Sequence, residues 1–437
     1  MVEPSQVRRF GAGQQPVKPA NSSRRLVAAF DFATASHFRA IVLLMLCSLV
    51  LFLPGFFTIP AIDRDEARFA QATKQMVESS DFIDIRFQDD VRYKKPVGIY
   101  WLQSAVVETA SGLGLPRAEL RIWLYRIPSL IGAIGAVLLT YWTALAFVTR
   151  RGAALAALMM ASSVLLGAEA RLAKTDAMLL LTVVAAMGAM ARVYMSWQRG
   201  EEPVRLPWSS PAVFWTALAA GILLKGPLIL MFVGLTILTL AILDRSAGWL
   251  WRMRPVWGLM WMLALVLPWF VAIFWRAGDA FFANSLGGDM LSKLAAQESH
   301  GAPPGLYLLL FWVTFWPGAA LAGMATPAVW RARREPGAQF LLAWLIPSWI
   351  VFELVLTKLP HYVLPLYPAI AILIVGALER RVLSRTPWIV KGSAWWFVFP
   401  LIASVASIIS AIVLLRQPEF LAWPFAAGLT DFTKNFS

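Results

Sequence analysis

The chain has 437 residues, of which 59% are hydrophobic and 15% are charged, and its formal net charge is +14. This composition excludes an ordinary soluble domain, and recurrent apolar runs of near-bilayer length predict an all-α integral membrane protein. The alternating pattern of a transmembrane β-barrel is missing from the sequence. The single cysteine, Cys47, cannot form an intrachain disulfide.

Residues 1–38 are polar and basic, so we expect a disordered cytoplasmic tail there. The next apolar run is too long for a signal-peptide core and is interpreted as a retained first helix. The membrane domain is expected at 39–416, with a first external loop at 60–126 and a short external tail at 417–437. About eleven transmembrane helices are predicted, near 40–59, 127–149, 152–168, 177–196, 211–224, 227–243, 256–275, 306–326, 338–356, 362–379 and 394–415.

The positive charge is mostly a topology signal rather than a nucleic-acid-binding surface. With these spans, the connections on the N-terminal side hold more than half of the 39 lysines and arginines. The short opposite connections hold one or two each. A basic excess marks the cytoplasmic side, which places the N-terminus inside and the first loop outside.

The first external loop is predicted to contain two helices that lie in the membrane interface. Helical spacing of apolar residues extends from Arg64 to Glu78. A second short helix is expected after Pro96, with Tyr100 and Trp101 as interface anchors. The segment between them is expected to be irregular, with a turn at Asp89-Asp90.

The start of that loop groups three acids and a base, Asp63, Asp65, Glu66 and Arg68. Carboxylates at the low-dielectric edge of a membrane have shifted pKa values, which suits one of them to accept a proton from a hydroxyl. The simpler interpretation is a helix N-terminus whose acids complement the helix dipole, with an Asp65–Arg68 pair. Spacing alone leaves both open.

The end of the loop has the basic sequence RYKKP, with Arg92, Lys94 and Lys95. Clustered cations beside a rigid proline suit the phosphate of a lipid carrier, which lies at headgroup depth. Nonspecific contact with anionic lipid explains the same residues equally well.

Further charged residues follow at the same predicted face. The sequence EARLAKTDAM holds Glu169, Arg171, Lys174 and Asp176, and Asp176 could equally open a helix behind Thr175. A lone Lys or His beside a span is more often an interface residue that reaches water than a ligand, but convergence onto one face favours a site. The remaining members are Lys225, Glu298, His300, Glu353, Lys358 and His361.

Seven motifs occur in order along the chain: DEARFAQATKQM, YKKPVGIYWLQ, RIPSLIGA, ARLAKTDAMLL, LLKGP, PWFVAI and TKLPHYVLPLYPAIAIL. In this order they resemble the GT-C glycosyltransferases, above all the bacterial aminoarabinose transferases of lipid A and the protein O-mannosyltransferases. The resemblance covers residues 40–380. It implies a GT-C fold, a polyprenyl-phosphate sugar donor and transfer on the periplasmic or luminal side.

The resemblance also implies roles for single residues. Asp65, in an Asp-Glu pair with Glu66, matches the catalytic aspartate, and Asp176 matches a second acid. The position before the KP lysine, acidic in the aminoarabinose enzymes, is Lys94 here, and no metal site is assigned. The carrier phosphate is expected to contact Arg68 and Lys95, with Arg92, Lys94, Lys225 and Lys358 nearby, and Asp63, His300, His361 and Tyr362 are assigned to the acceptor side.

Together, these features predict a multi-pass transferase of a bacterial inner membrane with a periplasmic active site. It would move a sugar from a polyprenyl-phosphate donor to lipid A, another glycolipid, a polysaccharide or a protein, with no certain cofactor and no nucleic-acid partner. The alternative is a transporter or flippase for lipid-linked sugars. A transporter would need polar or broken helices at the midplane facing both sides, whereas the charge here gathers at one face.

Overall fold

The computed structural model describes residues 21–201, 208–278 and 302–398, together with residues 402 and 405. The described part is almost entirely helical, and its only sheet there is a short hairpin. The elements are α1 Asn21–Ala33, α2 His37–Phe52, α3 Arg64–Ser79, β1 Arg86–Phe87, β2 Asp90–Val91, α4 Gly98–Gly112, α5 Ile122–Ala144, α6 Arg150–Ala161, α7 Val164–Glu169, α8 Asp176–Gln198, α9 Ser209–Lys225, α10 Leu228–Asp244, α11 Pro255–Ala277, α12 Leu306–Thr314, α13 Gly318–Arg331, α14 Pro336–Leu354 and α15 Tyr367–Glu379. Short 3-10 turns cover Ala118–Leu120, Gly248–Met253 and Pro360–Leu366.

Ten of the predicted spans coincide with helices, and the span at 394–415 lies largely outside the described residues. Five helical segments among the described residues are long and apolar enough to cross a membrane, or six if the bent pair of α1 and α2 forms one span. The exact number of spans therefore stays a prediction. Two predicted spans are broken: the first at Ser162-Ser163 between α6 and α7, and the second before Gly318 between α12 and α13.

The prediction that residues 1–38 are disordered is wrong for residues 21–33, which form a helix. Asn21–Ala33 form α1, which meets α2 at an angle of 112°. Arg151 pairs with Asp31 at 3.0 Å, and the Arg150 guanidinium donates to the carbonyl of Thr34 at 2.7 Å. These contacts with α6 hold a segment that its polar composition alone would leave unstructured.

The core of the bundle is closely packed because small residues line the contacts between helices. A Cβ added at Gly132 of α5 would lie 2.8 Å from the backbone of Ala177 in α8, so only glycine allows this approach. Gly98 does the same for α4, since a Cβ there would lie 2.7 Å from the carbonyl oxygen of Leu223. This second contact seats the first loop on the end of α9.

The first loop has the two predicted helices, α3 and α4. Between them the chain is not irregular, because Arg86 pairs with Val91 and Phe87 with Asp90 in a small antiparallel hairpin. Tyr100 is not an interface anchor, since it is fully buried against Phe69. The loop is fixed to α11 by an Arg276–Asp81 ion pair of 2.6 Å.

Candidate active site

The predicted site residues meet in one cavity of about 650 Å³, at one end of the helix bundle. Five segments bring them there: the start of α3, the loop after the hairpin, the α7–α8 connection, the end of α9 and the turn before α15. Chain direction alternates along the bundle, so these ends all fall on the same side. The described lining includes ten of the expected residues, Asp63, Asp65, Arg68, Arg92, Lys94, Lys95, Asp176, Lys225, His361 and Tyr362.

The first turn of α3 forms one wall. The carboxylate of Asp63 caps the helix and accepts hydrogen bonds from the backbone N–H groups of Asp65 at 2.7 Å and Glu66 at 3.4 Å. The side chain of Asp65 is 47% exposed and lies 3.7 Å from the guanidinium of Arg68, one turn further on. Asp65 is therefore an accessible carboxylate at the cavity wall.

The loop that follows the hairpin supplies the cationic part of the cavity. Arg92 is buried, donates to the hydroxyl of Tyr100 at 3.2 Å and lies 5.2 Å from the centre of the Phe69 ring. Lys94 is exposed and Lys95 half-buried, and both line the cavity. With Arg68, they concentrate positive charge beside Asp65.

The opposite wall contains two carboxylates, and the imidazole of His361 lies between them. The ring nitrogens of His361 lie 3.6 Å from a carboxylate oxygen of Glu169 and 3.6 Å from one of Asp176. The ammonium of Lys225 contacts the Asp176 carboxylate directly. One oxygen of Glu169, Oε2, is buried and has no hydrogen-bond partner among the described residues. Burial, and then repulsion from Asp176, raises the pKa of Glu169 to about 7.

Lys174 connects this acidic group to α3. Its ammonium lies 3.1 Å from Asp63 Oδ2 and 3.3 Å from Glu169 Oε1, and its side chain is 7% exposed. Burial by itself would raise the pKa of Asp63, but Lys174 and the two capped N–H groups outweigh it and lower that pKa. Lys174 and Glu169 are visible in the sequence as part of a charged cluster, but spacing alone did not assign them roles.

The structure corrects the prediction that Glu66 is one of the catalytic acids. Its carboxylate is fully buried and accepts from the Arg126 guanidinium at 2.6 Å and 3.2 Å, and from the backbone N–H of Ala173 at 3.1 Å. Arg126 also donates to three carbonyls that follow α2, those of Phe56, Ile59 and Pro60. Glu66 therefore holds the loop in place rather than facing the cavity. Arg126 went unassigned, although an arginine next to a predicted span is a signal that could have found it.

Another expected site residue, Lys358, does not line the cavity. The ammonium of Lys358 donates to the carbonyls of Glu353 at 2.8 Å and Val355 at 2.6 Å, so it satisfies the end of α14 instead of binding phosphate. The acceptor-side prediction for His300 lies outside the described residues, as does Glu298.

Glu169, Asp176 and His361 are the described residues that could hold a metal ion, since one ligand atom of each lies within 4.8 Å of the others. Their surroundings do not fit a cation well. Lys174 already contacts the Glu169 carboxylate and Lys225 the Asp176 carboxylate, so a divalent ion would have to displace or repel two ammonium groups. We therefore assign no metal to this group.

Comparison with known proteins finds a matching family model and curated relatives. The family model described as dolichyl-phosphate-mannose-protein mannosyltransferase matches residues 106–280. The undecaprenyl phosphate-alpha-4-amino-4-deoxy-L-arabinose arabinosyl transferase of Pseudomonas aeruginosa (strain LESB58) is 26% identical over 390 residues, which are 87% of this chain and 67% of the relative. The matched model and the relatives support a GT-C superfamily glycosyltransferase.

Two solved structures share the GT-C fold with it. ArnT from Cupriavidus metallidurans, crystallised with undecaprenyl phosphate, aligns with a TM-score of 0.68 and 21% identity over 87% of this chain and 66% of that chain. The oligosaccharyltransferase AglB from Archaeoglobus fulgidus, in complex with an inhibitory peptide and a dolichol phosphate, aligns with a TM-score of 0.52 and 14% identity, over 83% and 54%. The chain spans about two thirds of the length of the curated relatives from Pseudomonas aeruginosa. The comparisons support a transferase rather than a flippase.

Proposed function

We propose that this GT-C glycosyltransferase moves a sugar from a polyprenyl-phosphate donor to an acceptor in the cell envelope. The donor class follows the relatives, which are named as undecaprenyl-phosphate sugar transferases. The observation that carries the proposal is the division of the cavity into a cationic part, with Arg68, Arg92 and Lys95, and an adjacent accessible carboxylate, Asp65.

The cationic part suits the leaving group of the reaction. When the bond between the anomeric carbon and the phosphate oxygen breaks, the electron pair leaves with the polyprenyl phosphate. Arg68 and Lys95 would stabilise the negative charge that develops there, and preorganised charges in a site that excludes bulk water do this effectively. Lys225, expected to share this role, is instead paired with Asp176.

Asp65 suits the attacking group. Its carboxylate would accept the proton of an acceptor hydroxyl while the acceptor oxygen forms its bond to the anomeric carbon. Displacement without a covalent intermediate inverts the anomeric configuration. If the acceptor is itself a phosphate, it needs no base, and Asp65 would act through its charge alone.

The setting of the enzyme is part of the same proposal. We place the catalytic domain at residues 39–416 in a bacterial inner membrane, with the N-terminus in the cytoplasm, the active site in the periplasm and the tail at 417–437 external. The basic connections support this orientation. The candidate acceptors are lipid A, another glycolipid, a polysaccharide and a protein.

Reconstitution tests the proposal directly. Purified protein in vesicles is given undecaprenyl phosphate carrying 4-amino-4-deoxy-L-arabinose, or polyprenyl-phosphate hexoses, together with lipid A or an envelope extract. Mass spectrometry then measures free polyprenyl phosphate and glycosylated product, and envelope glycolipids from cells with and without the gene identify the natural acceptor. Failure to release polyprenyl phosphate from every donor would sink the proposal.

A further inference from the structure

Lys174 is a cation of the cavity that contacts two carboxylates from different segments. It lies in the connection between α7 and α8, and its ammonium reaches Asp63 before α3 and Glu169 at the end of α7. The side chain of Lys174 is almost completely buried and that of Asp63 is 34% exposed, so water and salt screen this pairing only in part.

Asp63 passes that contact on to the helix that carries Asp65. One oxygen of Asp63, Oδ2, faces Lys174, while the other, Oδ1, accepts the N–H groups of Asp65 and Glu66. The carboxylate is therefore held from both sides. An N-cap whose side chain is fixed in this way defines where the first turn of the helix begins.

The neighbouring residue makes a parallel contact with the same turn. The backbone N–H of Ala173 donates to Glu66 Oε1 at 3.1 Å. Two consecutive residues of the α7–α8 connection thus hold the start of α3 on both sides of Asp65. Lys174 holds Asp63, two positions before it, by charge, and Ala173 holds Glu66, the next residue, by a backbone hydrogen bond. The side chain of Asp65 lies 3.7 Å from Arg68 and lines the cavity.

We propose that Lys174 is a positioning residue, which acts through Asp63 to hold the first turn of α3 and therefore the carboxylate of Asp65 in its reactive place. The ammonium is already shared by two acids, so it is not a ligand for the donor phosphate. The inference rests on the proposed function for its catalytic consequence, but its structural part stands independently.

The experiment compares Lys174→Met, Lys174→Arg and the double variant Asp63→Asn with Lys174→Met, using the full chain in nanodiscs. Lys74→Met is the matched control, since Lys74 lies on α3, the helix whose exchange is measured, in a partly exposed i,i+4 pair with Glu78. Each protein is assayed for sugar transfer and for amide hydrogen exchange in the peptide that covers residues 63–70.

In Lys174→Met we expect the capped amides of Asp65 and Glu66 to exchange roughly fivefold faster, as after partial loss of an N-cap. A misplaced catalytic group should lower kcat by about 10²-fold, while the KM for the lipid donor changes by less than about threefold. Lys174→Arg should restore much of kcat. The double variant should be no worse than Lys174→Met, since Asn caps as well as Asp and needs no cationic partner.

Unchanged exchange at residues 63–70 in Lys174→Met would overturn the inference. So would a raised donor KM with normal kcat, because Lys174 would then be a phosphate ligand. If the wild-type protein transfers no sugar, the proposed function fails, and hydrogen exchange alone still decides whether Lys174 holds α3.

Discussion

At the scale of single residues, the neighbouring acids Asp65 and Glu66 have different surroundings. Successive residues of an α-helix point about 100° apart, so one can face a cavity while the other faces the core. Glu66 meets Arg126 in the buried core, whereas the side chain of Asp65 is 47% exposed beside the cationic loop. In the proposed reaction, this accessible carboxylate would receive the proton of the acceptor.

Asp65→Asn should remove this activity without unfolding the protein. The substitution keeps shape and hydrogen bonding but removes the charge, and loss of a general base or an electrostatic stabiliser lowers the rate by on the order of 10²–10⁴. Transfer from a polyprenyl-phosphate sugar measures this. Asp89→Asn is the control because Asp89 is exposed on the hairpin. Asp81, another acid of the first loop, is less suitable because it accepts hydrogen bonds from Arg276 and two backbone N–H groups. Near-normal transfer by a folded Asp65→Asn protein would move the assignment to Asp63 or Asp176.

Lys95→Ala should weaken donor binding, because the carrier phosphate loses one cationic partner. Steady-state kinetics should show a higher KM for the lipid donor than in the wild type, with the acceptor KM much less affected. Lys74→Ala, which changes a lysine outside the described cavity lining, serves as the comparison. Donor dependence identical to that of the wild type would remove Lys95 from the site.

At the scale of elements, the site depends on how helix ends are fixed to one another. Arg126, at the start of α5, joins the chain that leaves α2 to the first turn of α3 through three carbonyls and Glu66. The same turn is held by Ala173 and Lys174 from the α7–α8 connection. The segment after α2, the start of α3, the start of α5 and the α7–α8 connection therefore all meet at the buried Glu66–Arg126 pair.

Arg126→Met should destabilise the protein strongly, since it leaves the Glu66 charge buried without its main partner. Breaking a buried pair in this way costs about 3–5 kcal/mol, which should lower Tm by roughly 5–10 °C. Thermal unfolding in detergent measures the shift. Arg151→Met, which removes a largely exposed pair with Asp31, should cost less than about 1 kcal/mol. Adding Glu66→Met to Arg126→Met should restore stability, and equal Tm shifts for the two arginine variants would contradict this account.

At the scale of the whole molecule, the alternating direction of the helices gathers the cavity at one end of the bundle. The other end holds a different polar cluster, in which Asp244 bonds the hydroxyl of Tyr194 at 2.9 Å and the amide of Gln339 at 2.6 Å. Because the two ends differ, orientation in the membrane decides which compartment supplies the acceptor.

Cysteine labelling can decide that orientation. In a Cys47→Ser background, Asp89→Cys in the first loop should react with an impermeant maleimide applied to the periplasmic side. Arg334→Cys, between α13 and α14, should react only after the membrane is permeabilised, because basic connections stay in the cytoplasm. Both positions are exposed, so burial does not confuse the result. The reverse labelling pattern would show that the predicted orientation is wrong and that the first loop lies in the cytoplasm.

The sequence by itself predicted the class of protein, the places of most helices and a group of charged residues on one side of the bundle. These follow from local properties: apolar run length, helical spacing in α3, and the sign of charge in successive connections. The ordered motifs indicated a GT-C transferase, and most of the charged residues that carry those motifs line one cavity.

Only the tertiary structure decided which charges face the cavity and which hold the fold together. Glu66 and Lys358 look like site residues in the sequence, whereas Lys174 belongs to a charged cluster without an assigned role and Arg126 is not singled out. Their roles depend on partners far along the chain, since Glu66 and Arg126 are 60 residues apart and Asp63 and Lys174 are 111 apart. A buried charge needs a partner because desolvation is costly, and that partner comes from whichever element packing brings beside it.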